Sequence, residues 1–282
     1  MSLTTKEIQA LIRRHPYPQS SHFQDSGEPI GARAGINATL AFYISPFGID
    51  VHWGAASPDD LLTELRAAVL SDPQLADQPL RLEFVPGEFE TPLSEAGFET
   101  TSEWCDSWLD DLDGYTAVPS GCLPVRPLGP ADGPIVGRIT RSCRLISRDH
   151  LGESDSFLAD WLSEPPNTGF LAHIEGDPAG VALTSVYGHG SPRGPVCWLR
   201  GLAVSPSYQR RGIGRELALT VLQWGRRNGA RRAFLHVDRE NPAVRLYASL
   251  GFGLRPGRGQ INMMTVASIV GPDIVFRPAR PH

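Results

Sequence analysis

The stretch Leu202-Ala203-Val204-Ser205-Pro206-Ser207-Tyr208-Gln209-Arg210-Arg211-Gly212-Ile213-Gly214-Arg215 reads as the end of a strand, a turn, a glycine-rich loop and the first turn of a helix. That order suits a bound pyrophosphate. Gly212 and Gly214 carry no side chain where a backbone has to approach a ligand. The first N–H groups of a helix have no partner inside it and point outward, and the helix dipole adds partial positive charge at the same end. Arg210, Arg211 and Arg215 supply full charges for phosphate oxygens. A dinucleotide fingerprint also uses a G-x-G, but here its third glycine is missing at the required offset. Nor does an early strand precede the loop in the Rossmann manner.

Downstream, Ile213–Arg227 is amphipathic with helical period, placing Leu217, Val221, Leu222 and Trp224 on one face. Ala233–Val237 is an apolar strand. Asn241-Pro242 is an N-cap followed by a first helical residue, Pro242–Leu250 is the helix, and Gly251-Phe252 stops it. Strands near Leu254 and over Ile261–Ala267 close the pattern. Upstream, Val196–Val204 is a strand preceded by the loop His189–Pro195. Gly169–Ile174 and Gly180–Tyr187 are strands around a Gly-Asp-Pro turn. Asp132–Ile146 and Asp155–Leu162 are helices, and Leu123–Pro127 is a short strand.

Gln209 to Gly214 match the acyl-CoA loop Q/R-x-x-G-x-G/A in full, and Val204-Ser205-Pro206 matches the V-x-P that precedes it. With Ala233–Phe252 following as strand, Asn, helix with Tyr, and Gly-Phe, the chain from Pro124 onward resembles the GCN5-related N-acetyltransferase (GNAT) family. The resemblance implies an α/β fold with a mixed (α+β) sheet and an acetyl-CoA-dependent N-acetyltransferase. By that resemblance Leu202, Ala203 and Val204 pair with the pantetheine arm, with the N–H near Leu202 on the thioester oxygen. Gln209, Arg210, Arg211, Gly212, Ile213, Gly214 and Arg215 hold the pyrophosphate, and Asn241 bonds the pantetheine. Tyr247 contacts the cofactor and protonates the departing thiolate. A phenol near pKa ~10 is able to donate to a thiolate whose acid is near ~8.5.

The amine must lose a proton before it attacks. Histone-type relatives place a Glu on the strand at a position that falls on Trp198 here, and Val196–Val204 holds no Asp, Glu or His. A water chain, an acceptor that arrives neutral, or a group from another element remains; His173, Glu175, His189 and His236 are the side chains available. By family layout the loop His189–Pro195 and the helix around Asp155–Leu162 line the acceptor site. Glu153, Asp155, Asp160 and Glu164 there would suit a cationic amine.

The first half reads as a worn copy of the same pattern. Leu80–Phe98 runs strand, turn, helix and Gly-Phe like Arg232–Phe252, and Ser57-Pro58 parallels Ser205-Pro206. Before these come a short helix around Thr5–Arg14, strands Ala38–Ile44 and Gly48–Trp53, and a capped helix Asp59–Leu70. Asp59 and Asp60 stand where the second half has its Gln-Arg-Arg-Gly series, and two acids repel phosphate. The expected division is 1–115 as a degenerate copy without a CoA loop, 116–123 as linker, and 124–275 as the catalytic domain. The layout is similar to that of tandem GNAT proteins such as mycothiol synthase, without residues specific to mycothiol, and the first half is expected to shape the acceptor site.

The chain has 282 residues and a net charge of −5, so nothing draws it to nucleic acid. Lys6 is its only lysine. Cys105, Cys122, Cys143 and Cys197 fit no zinc spacing and read as reduced thiols. No apolar leader or membrane-length segment is visible. The expectation is a cytoplasmic monomer or homodimer without metal. It transfers acetyl from acetyl-CoA to a primary amine of a small molecule or peptide, in a ternary complex; the competing reading is a non-catalytic acyl-CoA sensor.

Overall fold

The computed structural model describes residues 4–19, 28–143, 152–255 and 260–279. The elements in chain order are α1 (Thr5–Ile12), β1 (Tyr17–Pro18), β2 (Gly31–Ala34), β3 (Ala38–Ser45), β4 (Gly48–Ala55), α2 (Pro58–Ser71), β5 (Pro79–Val85), α3 (Gly87–Glu95) and β6 (Glu99–Leu109). There follow β7 (Val125–Pro127), α4 (Gly133–Ser142), α5 (Phe157–Ser163), β8 (Thr168–Ile174), β9 (Asp177–Tyr187), β10 (Val196–Val204), α6 (Ile213–Arg227), β11 (Arg232–Asp238), α7 (Ala243–Ser249), β12 (Gly253–Leu254), β13 (Gln260–Val270) and β14 (Asp273–Arg277). By compactness the chain divides into Met1–Trp104 with Gly259–His282, and Cys105–Arg258.

In the first unit the strands run β2-β3-β4-β5-β13-β6. β4 and β5 are parallel over Ile49↔Leu80, Asp50↔Arg81 and Val51↔Leu82, the crossover being α2. Residues 260–279, expected with the catalytic domain up to 275, lie in this unit: β13 pairs antiparallel with β5 through Met263↔Leu82 and Thr265↔Leu80. Trp53, Leu61, Leu65, Leu80, Leu82 and Phe89 fill the core between sheet and helices. Past Val51 the edge of β4 is taken by the chain's own β1, with Tyr17↔Ala55 and Pro18↔Gly54. Gln19 completes it: its N–H donates to the Trp53 carbonyl (2.8 Å) and its Oε1 accepts the Trp53 N–H (3.1 Å).

In the second unit β6 beyond Trp104 is followed by β11, β10, β9, β8 and β7. β9 and β10 are antiparallel, β10 and β11 parallel through α6. One face is covered by α6 and α7, with Leu217, Val221, Leu222, Leu235 and Val237 in its core. The other face is covered by α4 and α5, where Val136, Ile139, Leu158 and Trp161 meet Leu171, Val181 and Ala203. Both units thus repeat one motif: an antiparallel strand pair, a helix, a parallel strand and a second helix.

Several boundaries differ from the sequence expectation. The Gly-Asp-Pro turn is instead Glu175-Gly176, both with positive φ (52° and 92°), and Asp177-Pro178 already belong to β9. α3, the helix within Leu80–Phe98, begins at Gly87 and carries Pro92 inside it. α4 spans Gly133–Ser142, and the rest of the expected helix to Ile146 falls outside the described residues. β1, β2 and β14 were not expected.

Candidate active site

The decisive geometry is at the C-terminal end of β10. Its parallel pairing with β11 covers only Val196↔Arg232, Cys197↔Ala233 and Trp198↔Phe234, while its pairing with β9 continues to Val204↔Gly180. The two parallel strands therefore fork after Trp198, next to a bulge between Leu199 and Gly201. Ser205 donates its N–H to the Ala179 carbonyl on β9 (2.9 Å). Strand alternation then turns the Ala203 N–H toward β9 and the N–H groups of Leu202 and Val204 toward the fork. Leu202 and Val204 are half-buried there, and the Ala203 side chain packs under α4.

The loop that follows is held open. Gln209 donates from Nε2 to the Val204 carbonyl (2.9 Å), tying the loop to the end of β10, so its side chain faces the fold. Arg210 adopts a positive φ of 64° and Gly212 one of 80°, a conformation that glycine takes without steric cost. Gly212 is the N-cap of α6 and offers no side-chain cap. The matching helix of the first unit is closed: Ser57 Oγ accepts the Asp60 N–H (3.1 Å) and donates to the Asp60 carboxylate. Residue types thus decide the difference. One helix start is satisfied by its own acid and hydroxyl; the other has no side-chain cap.

Arg210, Arg211 and Arg215 are exposed around this opening. Arg211 lies over the Tyr208 ring at 5.6 Å, and Arg215 reaches Ser249 Oγ at 3.2 Å. Ile213 is buried under the loop, and Gly214 sits against Leu246 and Val204. Asn241 Oδ1 accepts the Ala243 N–H (2.9 Å), doing an N-cap's work for α7 although the helix is bounded one residue later, at Pro242. Tyr247, on α7, is buried beside Phe252 at 6.1 Å, and burial pushes its phenol well up.

Of the four side chains considered as base, His173 lies on β8, two strands from the fork, Glu175 sits at the β8–β9 turn, and His189 is exposed in its loop. His236 alone lies on a strand bordering the fork. It is two residues beyond Phe234, stacked on that ring at 6.5 Å, with Nε2 3.8 Å from Asp106 Oδ1. The acidic residues expected to attract a cationic amine are partly neutralised. Glu153 pairs with Arg200 of β10 (2.6 Å) and Asp155 with Arg141 (2.7 Å). Arg200 also lies over Phe157 at 4.4 Å. These contacts, and the hold of Glu216 on the linker through Ser120 and Gly121 (2.8–3.0 Å), carry no signal in the sequence.

Among the described residues no three His, Cys, Asp or Glu side chains gather where they could hold a metal ion, and no helix is long and apolar enough to cross a membrane.

Comparison with known proteins bears on this geometry. The profile of the acetyltransferase (GNAT) family matches residues 134–252. Aminoglycoside N(6')-acetyltransferase type 1 of Salmonella typhimurium is 32% identical over 108 residues, covering 36% of this chain and 71% of that protein. Mycothiol acetyltransferase of Acidothermus cellulolyticus is 42% identical over 81 residues, which is 28% of this chain and 24% of that protein. The crystal structure of a GCN5-related N-acetyltransferase from Sphaerobacter thermophilus superposes with a TM-score of 0.58 over 83% of this chain and 82% of that one; at 15% identity the likeness is one of fold.

Proposed function

The chain belongs to the acetyltransferase (GNAT) family and is an acetyl-CoA-dependent N-acetyltransferase; from that premise we propose that its second unit alone carries the reaction. In this reading acetyl-CoA lies across the start of α6 and the fork of β10, and the acetyl group passes directly to a primary amine in a ternary complex. The observation that carries it is the pair of openings just described, an uncapped helix start ringed by three arginines and an unpaired strand edge beside it. The N–H groups of Gly212, Ile213 and Gly214, with Arg210, Arg211 and Arg215, hold the pyrophosphate. Gln209 supports this loop through its bond to β10. The edge of Leu202, Ala203 and Val204 pairs with the pantetheine amides as an added strand would, and Asn241 contributes its remaining amide donors.

The amine nitrogen forms a bond to the thioester carbonyl carbon, the C–S bond breaks, and the sulfur leaves with the electron pair. The Leu202 N–H stabilises the intermediate oxyanion. His236, within ion-pairing reach of Asp106, takes the amine proton, and Tyr247 gives a proton to the departing thiolate. The relatives are named for aminoglycoside and mycothiol acetylation; the acceptor here is an amine of a small molecule or peptide. The test is release of CoA thiol from acetyl-CoA across a panel of such amines. Acceptor-dependent release is expected, and tight CoA binding without release on any amine would contradict the reading.

A further inference from the structure

We propose that the acceptor of this acetyltransferase carries, beyond its amine, a carboxylate that Arg232 and Trp108 hold at the far end of the sheet face leading from the fork; the proposal rests on the acetyl-transfer reading above. Trp198 and Phe234 are register partners, so their side chains share a face, and so do Arg232 and His236, two residues to either side of Phe234. His236 is four residue steps along the strand from Arg232, about 13 Å. Between them lie the half-buried rings of Trp198 and Phe234, with Trp108 against Phe234 at 4.8 Å. The strip runs from a proton acceptor, over aromatic surface, to a cation.

That cation is the anomaly. The Arg232 guanidinium lies over the Trp108 ring at 5.2 Å. Arg255 lies over the same ring at 4.8 Å, but it is paired with Asp110. Arg232 has no carboxylate within ion-pair distance among the described residues, and its Nε and the Nε1 of Trp108 are both buried donors without an acceptor. Native folds rarely leave such donors unsatisfied. What the two lack is an acceptor beside a full positive charge, and a carboxylate supplies that with charge-assisted bonds. Tyr187 lies at the same end: it and Arg232 both pair with Val196 from either side, and Tyr187 is 44% exposed with a hydroxyl available to the same ligand. An extended tripeptide spans about 10 Å from amine to carboxylate, the same order as the strip.

The experiment compares two matched pairs, Gly-Phe-Gly with its C-terminal amide and 8-aminooctanoate with octylamine. Calorimetry in the presence of CoA reads binding, and thiol release from acetyl-CoA reads turnover, in the full chain and in Arg232→Gln and Arg232→Lys. The expected result is at least ten-fold tighter binding and lower KM for the acid of one pair or both. Arg232→Gln loses this preference, Arg232→Lys keeps part of it, and the KM for acetyl-CoA is unchanged in both variants. Acid and neutral forms bound alike by the native chain in both pairs, or Arg232→Gln weakening acid and neutral forms equally, would overturn the proposal. Turnover of the neutral amines without an acid preference would overturn it while leaving acetyl transfer standing. Preferential acid binding without turnover would support it and count against the transfer reading instead.

Discussion

Tyr247 shows how burial and chemistry combine at a single side chain. Burial disfavours the phenolate, so the hydroxyl stays protonated through the neutral range, the state a general acid needs. Tyr247→Phe keeps the ring and its contact with Phe252. It is expected to lower kcat about 10- to 100-fold in the thiol-release assay while leaving acetyl-CoA affinity unchanged; an unchanged kcat would remove the acid role. His52 of the first unit gives a residue-scale test of stability. It is buried against Tyr43 with ring centroids 4.3 Å apart, and burial lowers its pKa from 6.5 to about 4, Asp50 opposing and Arg81 adding to the shift. The folded state prefers the neutral ring, so the unfolded chain binds the extra proton. The contribution, of order 3 kcal/mol, is whole above pH about 6.5 and lost as the pH falls toward 4. Urea unfolding at pH 7 and 4.5 measures it, and His52→Leu should flatten that dependence.

At the scale of elements, what was legible in the sequence follows from which signals are local. β10 and α6 fall on Val196–Val204 and Ile213–Arg227 as read. Apolar periodicity and a Gly-flanked start write those boundaries into neighbouring residues. β1 and β2 were not legible because a strand of two to four residues has no period, and the seat of β13 was not, because its partner β5 lies far along the chain. The site divides in the same way. The loop Gln209–Gly214 announced itself, whereas Arg232, Trp108, Asp106 and the Glu153–Arg200 pair meet only through tertiary packing. The linker shows a further consequence. Glu216 in the first turn of α6, 6% exposed, accepts from Ser120 N–H and Oγ and from Gly121 N–H, so the stretch read as a linker is fastened to the helix beside the loop. Glu216→Gln keeps the shape and loses the charge, at an expected cost of about 1–3 kcal/mol, with earlier proteolytic cleavage between 116 and 123 as the readout.

Over the whole molecule, one motif occurs twice, and the proposal places acyl-CoA on one copy alone. In the first unit the strand edge equivalent to Leu202–Val204 is occupied by Tyr17–Gln19, and the equivalent helix start is capped by Ser57 with Asp60. In the second unit both features are open. The most direct measurement is calorimetric titration of CoA into the full chain and into Gly212→Asp. That substitution places an acid at the start of α6, at a φ of 80° and with nothing within 4 Å of the added Cβ. The account predicts one CoA per native chain and affinity at least ten-fold weaker in Gly212→Asp, in a chain still folded at the assay temperature although the φ of 80° strains the new side chain and lowers its unfolding temperature. Two equivalents of CoA bound per chain, or native affinity in Gly212→Asp, would contradict it.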